Sequence, residues 1–298
     1  MLTLWAYGRL LASFNCYIIF LNSINTHRGR KNYLMTAQDL SLVLPHRPLG
    51  LVFDIDGTLS PIVPTPQDAY LYPGVAAMLE QLRKHVHVAI MTGRALRDGA
   101  RIVNVDNVTY IGTHGLEWSA GLPTTHSVQL LPEAMRYVEP GKQLLDLVQQ
   151  HLDSLPGVIV QRKAVGGTLH YRSASNPEQT REQLLALLTE PTRQVGMRLG
   201  EGKMVVEVLT PLAVNKGQAL HSYAQRFGLR GLVFAGDDRT DLDAVLEVER
   251  LRAEDCATLS IVVRHHDTLP ELLAHADMVV DGVEGMAQLL QEITNDIV

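Results

Sequence analysis

From about residue 49 onward, apolar runs of strand length alternate with amphipathic stretches of helix length, and that rhythm leaves few folds open. LGLVFDI (49–55), VHVAIMT (86–92) and VTYIGTHG (108–115) read as strands; Pro73–Lys84, with proline in its first turn, and Ala95–Val103 read as the helices between them. Parallel neighbours need such crossovers, so the pattern builds a parallel sheet covered on both faces. The rhythm breaks after Pro123. Glu133–Leu155 reads as one helix, VIVQRK and GGTLHYR as a hairpin, Pro177–Leu188 as a helix, and VGMRLG and KMVVEVL as two further strands. It then resumes with Lys216–Phe227 (helix), GLVFAGDD (strand), Asp241–Val248 (helix), LSIVVR and DMVVDG (strands) and a last helix. The expected fold class is α/β. A doubly wound parallel-sheet core (46–122 and 211–298) carries an inserted, smaller α+β cap domain (123–210), and residues 1–45 are an N-terminal extension.

Composition bounds the function. The chain has 298 residues, 46% of them apolar and 19% charged, enough for a large core. A net charge of −6 gives no basic face for nucleic acid. Two cysteines, Cys16 and Cys256, cannot make a disulfide framework, which points to a reducing cytoplasmic compartment. The first 34 residues hold Arg9, Arg28, Arg30 and Lys31 with no Asp or Glu, so the remainder carries −10. Leu10–Leu21 is too short to span a bilayer and is followed by a poor cleavage site. The expectation is a dispensable extension, with Met35 as the natural start and no membrane partner.

The stretch LVFDIDGTLS places two carboxylates at the end of a buried strand. Residues i and i+2 of a strand point the same way, so Asp54 and Asp56 converge where open α/β sheets bind their ligands. An Asp-Gly hairpin turn would need a partner strand next, but PIVPTPQDAYLYPG contains four prolines and no alternation. Two like charges held together in a low-dielectric pocket require a cation or a shared proton. A second acidic cluster, GDDRTD, ends the apolar run GLVFA, with Asp237 after the strand and Asp241 one helical turn on. Alone it reads equally as a helix cap. Paired with the first, it supplies hard oxygen ligands for Mg²⁺ with positions left for water and phosphate. MTGR sets Thr92, Gly93 and Arg94 at another strand end, where backbone amides can meet an anion. Lys216 opens a helix, where the macrodipole disfavours a cation unless an anion lies between.

These four pieces, in this order, resemble the haloacid dehalogenase superfamily of phosphotransferases, from about residue 50 to the C-terminus. The resemblance implies that Asp54 is a nucleophile and Asp56 a proton donor and acceptor. It implies that Thr92 and Lys216 hold the phosphoryl group, and that Asp54, the Asp56 carbonyl, Asp237 and Asp241 surround Mg²⁺. Within the superfamily, GTHGLEW, LHYR, EGKMVVEV and GDDRTDLDA are similar to the trehalose 6-phosphate phosphatase family. That similarity implies a small sugar-phosphate substrate, held through Gly93, Arg94, His114, Glu117, Lys163, Arg172, Glu201, Lys203 and Glu207; a monomer is the expectation beside it. Glucosyl- and mannosyl-phosphoglycerate phosphatases share much of the core, and Leu242-Asp243 stands where the family has Glu-Asp. His114 and Glu117 are expected at a core strand end facing the cleft, His114 equally as a structural histidine.

Overall fold

The structure, a computed structural model, describes residues 38–298; the expectation for residues 1–34 lies outside them. After the short helix α1 (Gln38–Ser41), strand β1 (Leu49–Phe53) is buried along its whole length. Leu51 and Phe53 pack into one apolar layer and Val52 into the other, so both faces of the sheet are covered. A run of five apolar-lined positions without a polar face therefore has only a central place open to it.

Helix α2 (Val75–Leu82) leads to β2 (His87–Met91), and α3 (Leu96–Val103) to β3 (Thr109–Gly112). The third strand is shorter than its apolar run suggests. Thr113 and His114 adopt φ of 47° and 57°, and this left-handed pair turns the chain back into β4 (Glu117–Ser119), antiparallel to β3. Strand β5 (Gln129–Leu130) pairs with β4, so the core sheet continues past the boundary expected at Leu122.

The inserted block follows. Pro132–Tyr137 is a 3₁₀ segment and α4 (Val138–Gln150) a separate helix, where one continuous helix was expected. Pro140 is the reason: it cannot donate inside a helix and is tolerated in the first turn, so α4 starts just before it. Strands β6 (Ile159–Arg162), β7 (Gly167–His170), β8 (Arg198–Gly202) and β9 (Val205–Leu209) form an antiparallel sheet in the order β6-β7-β9-β8. Helix α4 and α5 (Pro177–Gln194) cover it, with Leu145, Val148, Leu184 and Leu188 packed on Leu169, Val206 and Val208.

The chain re-enters the core through α6 (Lys216–Phe227), β10 (Gly231–Gly236), α7 (Leu242–Ala253), β11 (Ala257–Arg264), α8 (Pro270–His275), β12 (Met278–Asp281) and α9 (Gly282–Ile297). The core sheet has the order β12-β11-β10-β1-β2-β3-β4-β5 and is parallel from β12 to β3. The order reverses direction at β1, whose neighbours are β10 and β2. Such a switch point opens a crevice outside the carboxyl ends of the strands.

Candidate active site

The crevice is built by strand ends. Asp54 follows β1, Thr92 follows β2 and Asp237 follows β10, and each is buried although polar. The Asp54 amide donates to Ala235 O, which keeps the ladder to β10 closed up to the first carboxylate. The chain then folds on itself: the amides of Thr58, Leu59 and Ser60 all donate to Ile55 O, and the Gly57 amide donates to Ser60 O. Gly57 has φ of +81°, and a Cβ there would run into the Asp237 carboxylate, so only glycine brings the two acidic segments this close.

Lys216 joins the clusters. Its side chain is 2% exposed, and its ammonium lies 2.7 Å from Asp54 Oδ1 and 2.6 Å from Asp241 Oδ1. Asn215 caps α6 by accepting from the Gln218 amide, which fixes Lys216 as the first helical residue. Asp241 is fully committed: its other oxygen accepts from the amides of Asp237 and Asp238, both at 3.0 Å. Oxygens of Asp54, Asp237 and Asp241 lie within 4.8 Å of one another. Burial, helped by Asp54 and Asp241, holds Asp237 well above the usual carboxylate range, and burial pushes Asp241 up to about 6. For Asp54 burial also dominates and raises the proton affinity against the pull of Lys216. Burial works against the Lys216 ammonium, but Asp241 and Asp54 outweigh it and hold its pKa well up. Three buried carboxylates facing one ammonium leave an excess of negative charge, and hard oxygens of this kind suit a divalent cation such as Mg²⁺.

Asp56 has a different partner from Asp54. Arg94 grips it in a fork, with Nε and one terminal nitrogen each donating across 2.6 Å, while its other terminal nitrogen donates to Pro66 O. Thr92 Oγ1 accepts from the Arg94 amide, and Thr92 O from the His114 amide. The His114 ring lies against Gly93, where any side chain would collide with it. Burial, with Lys163 and Lys216 near by, lowers the His114 pKa to about 4, so the ring is neutral.

The cap presents Lys163 and Glu207 to this crevice. Lys163 Nζ sits 3.2 Å from Glu207 Oε1, which also accepts from Thr168 Oγ1, and Lys163 holds Glu207 below the usual carboxylate range against burial. Between core and cap lies a cavity of about 230 Å³ whose lining includes His114, Glu207, Arg198, Asn215, Lys216 and Asp243.

Other expected contacts fall outside. Glu117 is buried beneath the crevice, not in it: Oε2 accepts from Thr113 Oγ1 at 2.6 Å and from the Leu96 amide, bracing the left-handed turn and the start of α3. Glu201 is taken by Arg181 of α5 at 2.6 Å on the cap surface. Lys203 reaches from the tip between β8 and β9 to Asp267 of the core, 2.7 Å away. Arg172 is exposed just past β7. His265 was not among the expected residues. It follows β11, and its Nε2 meets Gly57 O at 2.7 Å. A polar residue directly after the apolar run LSIVVR was the signal available for it.

A family model described as Trehalose-phosphatase matches residues 52–272. The trehalose-phosphate phosphatase of Mycobacterium leprae (strain TN) is 32% identical over 231 residues, covering 74% of this chain and 52% of that protein. That of Mycobacterium tuberculosis (strain CDC 1551 / Oshkosh) is 33% identical over 253 residues, covering 82% and 62%. The chain thus spans little more than half the length of these curated relatives. Among solved structures, a trehalose-6-phosphate phosphatase related protein superimposes with TM-score 0.69 at 24% identity, covering 83% of this chain and 97% of that one. The C-terminal domain of the Candida albicans trehalose-6-phosphate phosphatase does so with TM-score 0.70 at 18% identity, covering 90% and 99%. At these identities the structural likeness is one of fold.

Proposed function

The chain belongs to the trehalose-phosphatase family, and we propose that it is a Mg²⁺-dependent phosphatase that hydrolyses trehalose 6-phosphate to trehalose and phosphate. One observation carries the reading. The Asp54 carboxylate stands at the floor of the crevice, held 2.7 Å from a buried ammonium and beside the further carboxylates Asp237 and Asp241.

Asp54 attacks phosphorus as the bond to the sugar oxygen breaks, and Asp56 gives that oxygen a proton. Water then adds to the aspartyl phosphate, the bond from phosphorus to Asp54 breaks, and Asp56 takes up the water's proton. Lys216 keeps the Asp54 carboxylate oriented and offsets charge on the transferring group, with Thr92 and the amides after β2 around its oxygens. Arg94 occupies Asp56 through two bonds of 2.6 Å, so an arriving phosphate dianion has to draw the guanidinium away before Asp56 acts as an acid. Bound between Asp54, Asp237 and the Asp56 carbonyl, with Asp241 close by, Mg²⁺ would neutralise charge between nucleophile and phosphoryl oxygens. Glu207 and Lys163 of the cap, with His114 of the core, face the sugar; charged groups bind hydroxyls strongly and reject substrates that lack them.

The enzyme works as a cytoplasmic monomer in this reading. Among the described residues no helix is long and apolar enough to cross a membrane. Phosphate release from a panel of sugar phosphates tests the substrate: trehalose 6-phosphate should be preferred, and preference for a glycosyl phosphoglycerate would refute the assignment. Asp54→Asn should cut turnover at least about a thousand-fold while the circular dichroism spectrum stays that of the parent.

A further inference from the structure

We propose that His265 is a positioning residue that fixes the catalytic turn after β1 against Asp237 and so sets the affinity of the metal site. The inference rests on the proposed function and adds a fourth strand end, that of β11, to the site.

The turn at residues 55–60 is closed on itself, since its amides point to Ile55 O and Ser60 O. The Gly57 carbonyl is turned out of that ring, and His265, 208 residues away in sequence, meets it at 2.7 Å. Strand β11 lies beside β10, which lies beside β1, so His265 reaches across the end of β10 to the turn that follows β1. It passes Asp237 on the way: Nε2 is 3.8 Å from Asp237 Oδ2. The backbone that carries the imidazole is itself held, because the His265 amide donates to Thr268 Oγ1 at 2.7 Å, and the side chain is only 19% exposed.

The chemistry fixes the tautomer. A carbonyl oxygen only accepts, so Nε2 must carry the hydrogen and has no lone pair to give a cation. His265 is therefore a donor to the turn and no metal ligand in this arrangement. Gly57 packs directly on the Asp237 carboxylate, and the peptide carbonyl just before Gly57, that of Asp56, is the main-chain oxygen assigned to the cation. Anchoring Gly57 O thus limits how far the Asp56 carbonyl and the Asp237 carboxylate can drift apart. Groups that orient metal ligands in this way commonly change metal affinity about 10- to 100-fold when removed.

The test is direct Mn²⁺ binding, read as free Mn²⁺ by electron paramagnetic resonance, alongside steady-state kinetics in Mg²⁺. His265→Met keeps most of the volume and loses the donor, whereas His265→Gln keeps an amide donor. The Met variant should bind Mn²⁺ about ten-fold more weakly and need correspondingly more Mg²⁺ for activity, with KM for the sugar phosphate at saturating Mg²⁺ unchanged. The Gln variant should recover most of the affinity. Asp267→Asn, which cuts the loop's tie to Lys203 but spares His265, should bind as the parent does. Equal affinity in the parent and the Met variant overturns the inference alone, and so does a Gln variant as weak as Met. A parent protein without measurable Mn²⁺ affinity overturns both it and the metal-dependent reading of the function.

Discussion

Lys216 is a cation placed where a helix end disfavours one, and the two carboxylates it touches explain it. At this scale the sequence was informative wherever a residue broke a local rule: paired Asp54 and Asp56 on one strand end, a lysine at a helix start. It was silent on direction. Nothing in GTHGLEW says that His114 rests on Gly93 at the crevice while Glu117, three residues on, is buried beneath it, because the left-handed pair Thr113 and His114 turns the chain back there into β4. His114 also gives a pH prediction. Burial first, then Lys163 and Lys216, lowers its pKa from the ordinary 6.5 to about 4. The unfolded chain binds this proton below 6.5 and the folded chain only near 4, so stability falls as pH drops through that window, by at most about 3 kcal/mol. Asn tolerates the φ of +57° found at this position. In urea unfolding at pH 7 and pH 5, His114→Asn should lose less stability on acidification than the parent protein.

Among elements, α6 carries the most consequence for its length. Its first residue is Lys216, and Asn215 sets that register by accepting from the Gln218 amide at 2.9 Å. Asn215→Ala should cost about 1 kcal/mol in chemical unfolding and lower kcat by loosening Lys216, while Asn215→Asp should keep most of the stability. The β/α alternation of the core was readable because period-two and helical patterns are local. Two departures from the sequence pattern have equally local reasons. A long amphipathic run hid the break that Pro140 imposes before α4, and an apolar run hid the turn that ends β3 at Gly112. Strand β5 has only two residues, too few for any periodicity to show.

At the scale of the molecule, most groups proposed for chemistry and most proposed for recognition sit on different sheets. The carboxylates, Thr92 and Lys216 belong to the core; Lys163 and Glu207 belong to the inserted sheet above it. Glu207→Ala should therefore lower kcat/KM for the sugar phosphate about ten- to a hundred-fold, the worth of hydrogen bonds to a charged group. Hydrolysis of a small aryl phosphate, which has no sugar to offer Glu207, should change little, and equal losses on both substrates would place Glu207 in the chemistry instead. Two contacts between cap and core, Lys203 with Asp267 and Gln161 with Asp98, are polar and partly exposed, and such contacts contribute little to stability. By itself the sequence determined the fold class and the residues at the acidic strand ends, because strand period, helix period and charge placement act over a few neighbours. Only the tertiary structure decided which polar groups meet. It gave Asp56 to Arg94, Asp241 to Lys216, Glu201 to Arg181 and His265 to Gly57. Those pairings join residues up to 208 apart in the chain, and their partners become neighbours only when the strands take their places in the sheet.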